Sequence, residues 1–365
     1  MINSRCRVFV GMSGGVDSSV SAALLKEQGY DVTGIFIKVW QADFLPCTWR
    51  EERRDAMRVA AHLDIPFLTL DLEKEYKKEV VDYMIHEYGA GRVPNPDVMC
   101  NKHVKFGAFL DFAKKQGADF VATGHYARNE KQHDGRFHLL AGLDKEKDQS
   151  YFLWMLTQTE LAHVLFPVGR LQKSEVRFLA KKFGLPNAEK RDSQGLCFMG
   201  KIDMAEFLKH YLKTKKGDVI DFTGNVIGTH EGSAIYTIGQ RHGFVVEKNS
   251  PDMRPYFVVA KDMHNNTITV AHHMSGETKE AASITLEDCN AISKELADVA
   301  EKKCAVRMRY RGKLIAATWK NMGAPDDRQA EVLFENGEGE VALGQSVVAY
   351  QGDECLGGGV VSASP

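Results

Sequence analysis

A chain of 365 residues is long enough for two or three domains. Its 44% hydrophobic and 26% charged residues are typical of a soluble globular protein. The net charge of −2 excludes a general attraction to nucleic acid, so any RNA contact must use local basic patches. No apolar run approaches the ~20 residues of a membrane span, and the first predicted strand lies too close to Met1 for a signal or transit peptide. We therefore expect a cytoplasmic protein with no membrane partner.

Strands and helices alternate along the first half of the chain. Runs rich in β-branched and aromatic residues predict strands, and apolar residues at helical spacing predict helices. This order predicts an α/β fold with a doubly wound parallel sheet, in which ligands bind beyond the carboxyl ends of the strands. The predicted strands cover residues 6–10, 31–40, 67–72 and 119–127, and the predicted helices cover residues 16–30, 51–65, 74–91, 101–117 and 173–186.

The sequence GMSGGVDSS joins the first strand to the first helix at residues 11–19. Unpartnered N–H groups at a helix start, the helix dipole and two glycines together favour a bound phosphate. The loop lacks the lysine of a Walker A motif, and it is not the dinucleotide pattern G-x-G-x-x-G. Its pattern S-G-G-x-D-S resembles the pyrophosphate loop of the ATP pyrophosphatases, which cleave ATP between the α and β phosphates. The candidate phosphate-binding residues are Gly11, Met12, Ser13, Gly14, Gly15, Val16, Asp17 and Ser18.

Two of the seven cysteines lie in irregular loops and are candidate reactive thiols. Cys100, in VPNPDVMCNKHVKF, lies close to a predicted helix start, where the helix dipole, Lys102 and His103 favour a thiolate. Cys197 lies in DSQGLCFMG. No C-x-x-C pair is present, which argues against a zinc ribbon or an iron–sulfur cluster, and no protein metal site is predicted. Asp17 either orients the phosphate loop or helps to hold Mg²⁺, and the sequence leaves both readings open.

Short strands dominate the second half of the chain. Residues 217–232 predict a hairpin that turns at residues 223–225, and alternating runs from residue 268 to the end predict a small β-barrel or sandwich. Basic side chains from residue 307 to residue 313 alternate along one predicted strand, as suits either RNA contact or a solvated face. We expect a first domain over residues 1–205, a small, mostly β central domain over 206–272 and a C-terminal barrel over 273–365.

Seven motifs in this order resemble the tRNA-specific 2-thiouridylases: GMSGGVDSS, PNPDVMCN, TGHYA, KDQSYFL, RDSQGLCF, IGQRHG and CLGGG. The resemblance runs from about residue 8 to the carboxyl end. It implies an enzyme that replaces the 2-oxygen of the wobble uridine (U34) with sulfur in the tRNAs for Lys, Glu and Gln. In that family, ATP adenylylates the C2 oxygen, and a persulfide then attacks C2. The sulfur comes from a carrier protein or a cysteine desulfurase, and Mg²⁺ is inferred from the use of ATP.

The resemblance also implies roles for individual residues. Cys197 would carry the persulfide, and Cys100 would be the partner thiol that attacks it, releasing thiolated tRNA or sulfide and leaving a Cys100–Cys197 disulfide. Asp97 would be a general acid or base beside the target uridine, next to Asn95 and Pro96. The remaining implied contacts are Ile37 and Gly124 with adenosine, and Lys147, Asp148, Gln149, Arg309, Tyr310 and Arg311 with tRNA.

Two other functions fit parts of the same sequence. One is an ATP pyrophosphatase that adenylylates a small molecule, which would not need the paired loop cysteines. The other is a non-catalytic tRNA-binding sulfur carrier, which would not need an intact pyrophosphate loop. The sequence departs from the family pattern at Gln194, where threonine is common, and at Ile37, where methionine is common.

Overall fold

The computed structural model describes residues 6–45, 48–192, 203–247, 254–272, 282–323, 328–335 and 342–363. Cys47 and Cys197 lie outside the described residues. In the described part of the chain, strands assemble into a parallel sheet, a mixed sheet and a closed barrel. No described helix is long and apolar enough to cross a bilayer.

The parallel sheet forms the centre of the first unit. Its strands follow the order β3-β2-β1-β4-β7, and every neighbouring pair is parallel. Val8 and Phe9, adjacent residues of the central strand that point to opposite faces, are 0% and 4% exposed because helices cover both faces of the sheet. The predicted doubly wound sheet is thus confirmed. The strands of this unit are β1 (Arg7–Gly11), β2 (Asp31–Lys38), β3 (Phe67–Asp71), β4 (Phe120–Ala122), β5 (Ala127–Lys131), β6 (Phe137–Ala141) and β7 (Val164–Leu165).

Two predicted helices are present but depart from regular α geometry. Residues 73–89 and 96–115 are continuous helical runs, and each contains a π-helical stretch, at Lys77–Asp82 and Cys100–Ala108. Such stretches are rare and often mark functional sites. The helices of the first unit are α1 (Val16–Glu27), α2 (Trp49–His62), α3 (Glu73–Tyr76), α4 (Tyr83–Gly89), α5 (Pro96–Met99), α6 (Phe109–Lys115), α7 (Gln158–Leu161) and α8 (Lys173–Lys182).

The strand predicted over residues 119–127 is shorter than expected. β4 ends at Ala122, the chain turns at residues 123–126, and β5 then pairs with β6 in an antiparallel hairpin. The turn is needed because Gly124 passes against the start of α1, where a Cβ would lie 2.6 Å from the Ser18 nitrogen. A straight strand would carry the chain past this contact.

The central unit begins with a short helix and continues as a five-stranded sheet in the order β10-β9-β8-β12-β11. The predicted hairpin is confirmed as β8 and β9. Its turn is held by the Asp221 carboxylate, which accepts hydrogen bonds from the backbone N–H groups of Thr223 and Asn225. The elements are α9 (Met204–Lys209), β8 (Gly217–Ile220), β9 (Val226–His230), β10 (Val245–Val246), β11 (Phe257–Asp262) and β12 (Thr267–Ala271).

The last unit is the predicted β-barrel. Six strands follow the order β13-β16-β15-β14-β17-β18, and pairing of β13 with β18 closes the ring. The glycines of CLGGG pack tightly, since a Cβ at Gly358 would lie 2.8 Å from the Trp154 ring. The elements are β13 (Ser283–Ala291), α10 (Lys294–Ala297), β14 (Glu301–Arg307), β15 (Ile315–Met322), β16 (Gln329–Phe334), β17 (Ser346–Gln351) and β18 (Glu354–Ala363).

The predicted basic strand over residues 307–313 is wrong. β14 ends at Arg307, and the chain turns through residues 309–311, where Arg311 has a φ of +59°. No strand covers residues 308–314, and a left-handed residue breaks the alternation of side chains, so the basic side chains do not share one strand face. Arg307 instead points inward and pairs with Asp148 at 2.9 Å.

Candidate active site

The phosphate loop is built so that backbone groups are presented to a ligand. β1 ends at Gly11, α1 begins at Val16, and Gly15 at the N-cap has no side-chain capping bond. Gly14 has a φ of +75°, and a Cβ there would lie 2.4 Å from the Glu52 carbonyl oxygen, so only glycine fits. The uncapped first turn of a 12-residue helix offers N–H groups and a positive dipole end to a phosphate.

Hydroxyl groups brace this loop from within. Ser18 Oγ accepts from the Ser13 backbone N–H at 3.3 Å and donates to the Gly15 carbonyl at 3.2 Å. Asn187, which is 7% exposed, donates from Nδ2 to the Gly14 carbonyl at 3.0 Å and to Ser19 Oγ at 2.9 Å. These bonds fix the loop before any ligand binds, which lowers the entropy that binding must overcome.

Asp17 faces positive charge beside the loop. Its Oδ1 accepts from Lys173 Nζ at 2.6 Å and from the Tyr126 hydroxyl at 2.9 Å. Burial, and then the Asp17 charge, raise the pKa of Tyr126 well above its usual range, so the hydroxyl keeps its proton and donates. These two contacts fix the position of the Asp17 carboxylate, and both readings of its role stay predictions.

Asp192 links the phosphate loop to the start of the segment that carries Cys197. Its carboxylate accepts from Lys147 Nζ at 2.8 Å, pairs with Lys173 Nζ at 2.9 Å and is bonded by Arg177. Burial by itself would raise the pKa of Asp192, but hydrogen bonds from Lys147 and Lys173 outweigh it and hold the pKa well below the usual range. Asp192 is therefore charged at neutral pH and anchors three cations.

The predicted adenosine contacts lie at the same edge of the sheet. Gly124 lies against the first turn of α1, where a Cβ added to Gly124 would lie 2.8 Å from the Asp17 carbonyl carbon. Ile37 is near the end of β2, which runs parallel to β1, so both strands end on the side of the phosphate loop. Ile37 is 5% exposed and pairs with Leu70 of β3, so its contact with adenosine stays a prediction.

The residues predicted beside the target uridine open a helical run. Asn95 caps α5, with its Oδ1 accepting from the Val98 N–H at 3.3 Å, and Pro96 is the first helical residue. Asp97 is half-buried in the same turn. Cys100 follows directly and is 0% exposed within the main core. The predicted position near a helix start is present, but the thiol is buried.

The positive charge expected around Cys100 is mostly neutralised. Lys102 Nζ pairs with Glu160 at 2.8 Å, and burial lowers the pKa of His103, so the imidazole is neutral at pH 7. Of the two residues expected to add positive charge near Cys100, Lys102 therefore adds a charge that Glu160 pairs, and His103 adds none at neutral pH.

The two predicted tRNA-contact segments, residues 147–149 and 309–311, lie near each other in the fold although they are far apart in the sequence. The Tyr310 ring lies 4.6 Å from Phe152, just after the first segment, and Arg311 lies over Tyr310 at 5.1 Å. Lys147 is half-buried, and Arg309 and Arg311 are exposed. Asp148 is 4% exposed and bonded inside the protein, and Gln149 Oε1 accepts from the Tyr126 N–H at 3.1 Å.

Models of three domain families match consecutive parts of the chain. The tRNA methyl transferase HUP domain matches residues 6–201, the tRNA methyl transferase PRC-barrel domain matches residues 205–272, and the aminomethyltransferase beta-barrel domain matches residues 281–361. A curated relative from Streptococcus thermophilus, named tRNA-specific 2-thiouridylase MnmA, is 45% identical over 362 residues, 98% of this chain and 96% of its own. The chain belongs to the tRNA-specific 2-thiouridylase family. A relative of the same name from Geobacillus thermodenitrificans is 47% identical over 97% of this chain and 94% of its own.

Solved structures add little to this family assignment. NMN synthetase from Francisella tularensis aligns with a TM-score of 0.34 at 18% identity, over 52% of this chain and 67% of its own. A likeness of that size carries no argument.

In this member of the 2-thiouridylase family, sequence reasoning missed four residues of the site. Lys173, Arg177 and Asp192 form the charge cluster beside the phosphate loop, and Asn187 braces the loop itself. The helix over residues 173–186 was predicted, but nothing local indicated that Lys173 faces the loop. Asn187 contacts Gly14 across 173 positions, a pairing that no local pattern reveals.

Proposed function

We propose that the protein installs sulfur at C2 of the wobble uridine (U34) of the tRNAs for Lys, Glu and Gln, with consumption of ATP. The observation that carries the proposal is a preorganised phosphate loop in a chain that is 45–47% identical, over nearly its full length, to curated enzymes named tRNA-specific 2-thiouridylase. The names of the matched domain models mention methyl transfer, but a pyrophosphate loop suits ATP rather than a methyl donor.

The phosphate loop fits ATP on physical grounds. Gly14 leaves room where a side chain would collide, the first turn of α1 supplies N–H donors, and Lys173 supplies a cation. Bound ATP supplies the adenylyl group that turns the C2 oxygen into a leaving group. The described residues place no group of three or more His, Cys, Asp or Glu that could hold a metal, so we propose that Mg²⁺ enters with the ATP phosphates.

The two cysteines would then transfer sulfur. The terminal sulfur of a Cys197 persulfide attacks C2 and displaces AMP, which joins Cys197 to the base through a disulfide. The Cys100 thiolate attacks the Cys197 sulfur, releases 2-thiouridine and leaves a Cys100–Cys197 disulfide that a reductant must open. Because Cys100 is 0% exposed, the step requires its surroundings to open toward Cys197. Asp97, three residues earlier on the same helical run, would transfer a proton at the base.

Further features belong to the same proposal. The sulfur donor would be a carrier protein or a cysteine desulfurase, and the reaction would take place in the cytoplasm. We place the domain boundaries near residues 205 and 272.

The test combines purified protein, ATP-Mg, unmodified tRNA-Glu and a persulfide donor, with detection of 2-thiouridine by mass spectrometry of the digested tRNA. We expect thiouridine with the wild-type protein and none with Cys197→Ser when the donor is a persulfide. If the wild type forms no thiouridine but releases AMP with another acceptor, the ATP site stands and the tRNA substrate is wrong. If no AMP is released with any acceptor, the catalytic proposal is wrong.

A further inference from the structure

Three aromatic rings form an exposed cluster, the aromatic platform, which consists of Phe44, His210 and Tyr211. The Phe44 and His210 rings are stacked, with centroids 3.7 Å apart and planes 15° apart. Tyr211 lies 6.2 Å from Phe44. Phe207, which is 1% exposed, lies 6.0 Å from Phe44 and 5.0 Å from Tyr211 and joins the platform to the core. Phe44 is still 43% exposed and Tyr211 38% exposed, so the rings are fixed in place and open to solvent.

The platform lies beside the segments that carry the chemistry. Phe44 follows β2, the strand of Ile37, on the edge of the sheet where the phosphate loop also lies. His210 and Tyr211 follow α9, whose first residue, Met204, is seven positions after Cys197. Seven residues span at most about 25 Å and the six residues of α9 add about 9 Å, so the platform lies at most about 35 Å from Cys197.

Two lysines follow the platform along the chain. Lys213 and Lys215 are exposed, and neither forms an ion pair with a carboxylate of the described residues. Together with Leu212 and Thr214 they line a cavity of about 290 Å³, which Gly89 and residues around Ser233 also line. The charged groups nearest Tyr211 include Lys77, which Asp82 neutralises at 2.7 Å, and Asp43. The free positive charge therefore lies on the Lys213 side.

We propose that the aromatic platform stacks an unpaired nucleotide of the tRNA anticodon loop, while Lys213 and Lys215 neutralise the phosphates beside it. The inference rests on the proposed function. It assigns one part of the tRNA to a surface that lies outside the phosphate loop and outside the segments of Cys100 and Cys197. A wobble base that is flipped toward the reactive groups leaves its neighbours without a stacking partner. Exposed aromatic rings beside lysines supply what such a neighbour lacks, namely a flat apolar face and a counter-charge.

The test measures the equilibrium dissociation constant for unmodified tRNA-Glu with three variants of one residue. Phe44→Ala removes the ring, Phe44→Leu keeps an apolar side chain without a π face, and Phe44→Trp restores a larger face. We expect the dissociation constant to rise roughly tenfold or more in the Ala and Leu variants and to stay within about twofold of wild type in Phe44→Trp. Phe178→Leu is the matched control, because Phe178 is 67% exposed on α8 and belongs to no such cluster.

The lysines are tested by the salt dependence of the same constant. Lys213→Gln with Lys215→Gln should weaken binding and lower the slope of log affinity against log salt by about 1 to 2, because up to two phosphate contacts are lost. Thermal unfolding of each variant shows that it is folded, and an unchanged KM for ATP shows that the phosphate loop is intact.

Three outcomes overturn the inference. The first is a Phe44→Leu variant that binds tRNA as tightly as wild type. The second is a Phe44→Trp variant that binds as poorly as Phe44→Ala. The third is normal tRNA binding with a loss only of persulfide loading from a protein donor, which would assign the platform to that donor. If the wild type forms no thiouridine but binds tRNA in a Phe44-dependent way, the proposed function fails and the platform stands.

Discussion

The charges beside the phosphate loop are closely balanced. Asp17 and Asp192 face Lys147, Lys173 and Arg177, and the Asp144 carboxylate accepts from the Lys173 backbone N–H at 2.9 Å. Lys173 contacts both Asp17 and Asp192, at 2.6 Å and 2.9 Å, and is 15% exposed. Since the low pKa of Asp192 keeps it ionised at neutral pH, its ion pairs persist there. A phosphate that enters the loop must therefore be held by the N–H groups of the first turn of α1 as well as by these cations.

At the residue scale, Gly14→Ala is predicted to destroy ATP binding. The variant combines a φ of +75° with a Cβ 2.4 Å from the Glu52 carbonyl, so the loop must move. Gly29→Ala is the matched control, because Gly29 has a φ of +89° but no atom within 4 Å of its Cβ position. We expect Gly29→Ala to cost about 1–2 kcal/mol of stability with ATP affinity unchanged.

Calorimetry with a non-hydrolysable ATP analogue, together with thermal unfolding, separates the two effects. Gly14→Ala should weaken the affinity at least tenfold, beyond any loss of stability that it shares with the control. Equal ATP affinity in the two variants would mean that the shape of the loop at Gly14 is not what holds the phosphates.

At the scale of elements, the sequence predicts features that depend on local patterns and misses features that depend on contacts between distant residues. The strand–loop–helix unit around Gly14 was predictable, because periodicity and turn residues act over a few positions. The β5–β6 hairpin was missed although Asp134-Gly135 is a hairpin signal. The turn at Arg309 was read as a strand, because alternation of charge does not reveal a left-handed residue at Arg311. The burial of Cys100 depends on packing between helices, which a helix-start pattern does not encode.

The burial of Cys100 predicts its reactivity toward an alkylating agent. Without tRNA, iodoacetamide should modify exposed Cys6 readily and Cys100 slowly, because Cys100 is 0% exposed at the start of a π-helical stretch. Cys355 is the matched control, since it is equally buried and burial raises its pKa. Unmodified tRNA should accelerate the modification of Cys100 and leave that of Cys355 unchanged, as followed by peptide mass spectrometry. Fast modification of Cys100 without tRNA would contradict the packing of the helical run over residues 96–115.

At the scale of the whole molecule, strand pairing and hydrogen bonds form a joint between the barrel and the first unit. The β5–β6 hairpin extends the barrel sheet, with Leu140 opposite Glu354. The Tyr151 hydroxyl donates to the Ser346 carbonyl at 2.9 Å, and Asn290 Nδ2 donates to the Trp154 carbonyl at 2.7 Å. The joint places the 309–311 turn beside Phe152, three residues after the segment 147–149, so the two predicted tRNA-contact segments act as one surface only while it holds.

The ion pair between Asp148 and Arg307 is predicted to be the costliest single contact of this joint to break. The side chains are 3% and 16% exposed, and Asp148 Oδ1 also accepts from the N–H groups of Gly142 and Ser150. Arg307→Ala leaves this carboxylate buried without its cation, which should cost about 3–5 kcal/mol in the free energy of unfolding. Arg307→Met combined with Asp148→Asn removes both charges and should recover much of that loss.

Lys145→Ala is the matched surface control for the same joint. Lys145 pairs with Asp353 at 2.6 Å, but the side chains are 65% and 50% exposed, so the loss should stay below about 1 kcal/mol. Urea unfolding followed by circular dichroism gives the free energies, and tryptic digestion shows whether the barrel separates first. If Arg307→Ala unfolds at the same urea concentration as Lys145→Ala, the buried pair does not hold the barrel in place. The surface formed by the two predicted tRNA-contact segments would then depend on the β5–β6 hairpin and on the hydrogen bonds of Tyr151 and Asn290.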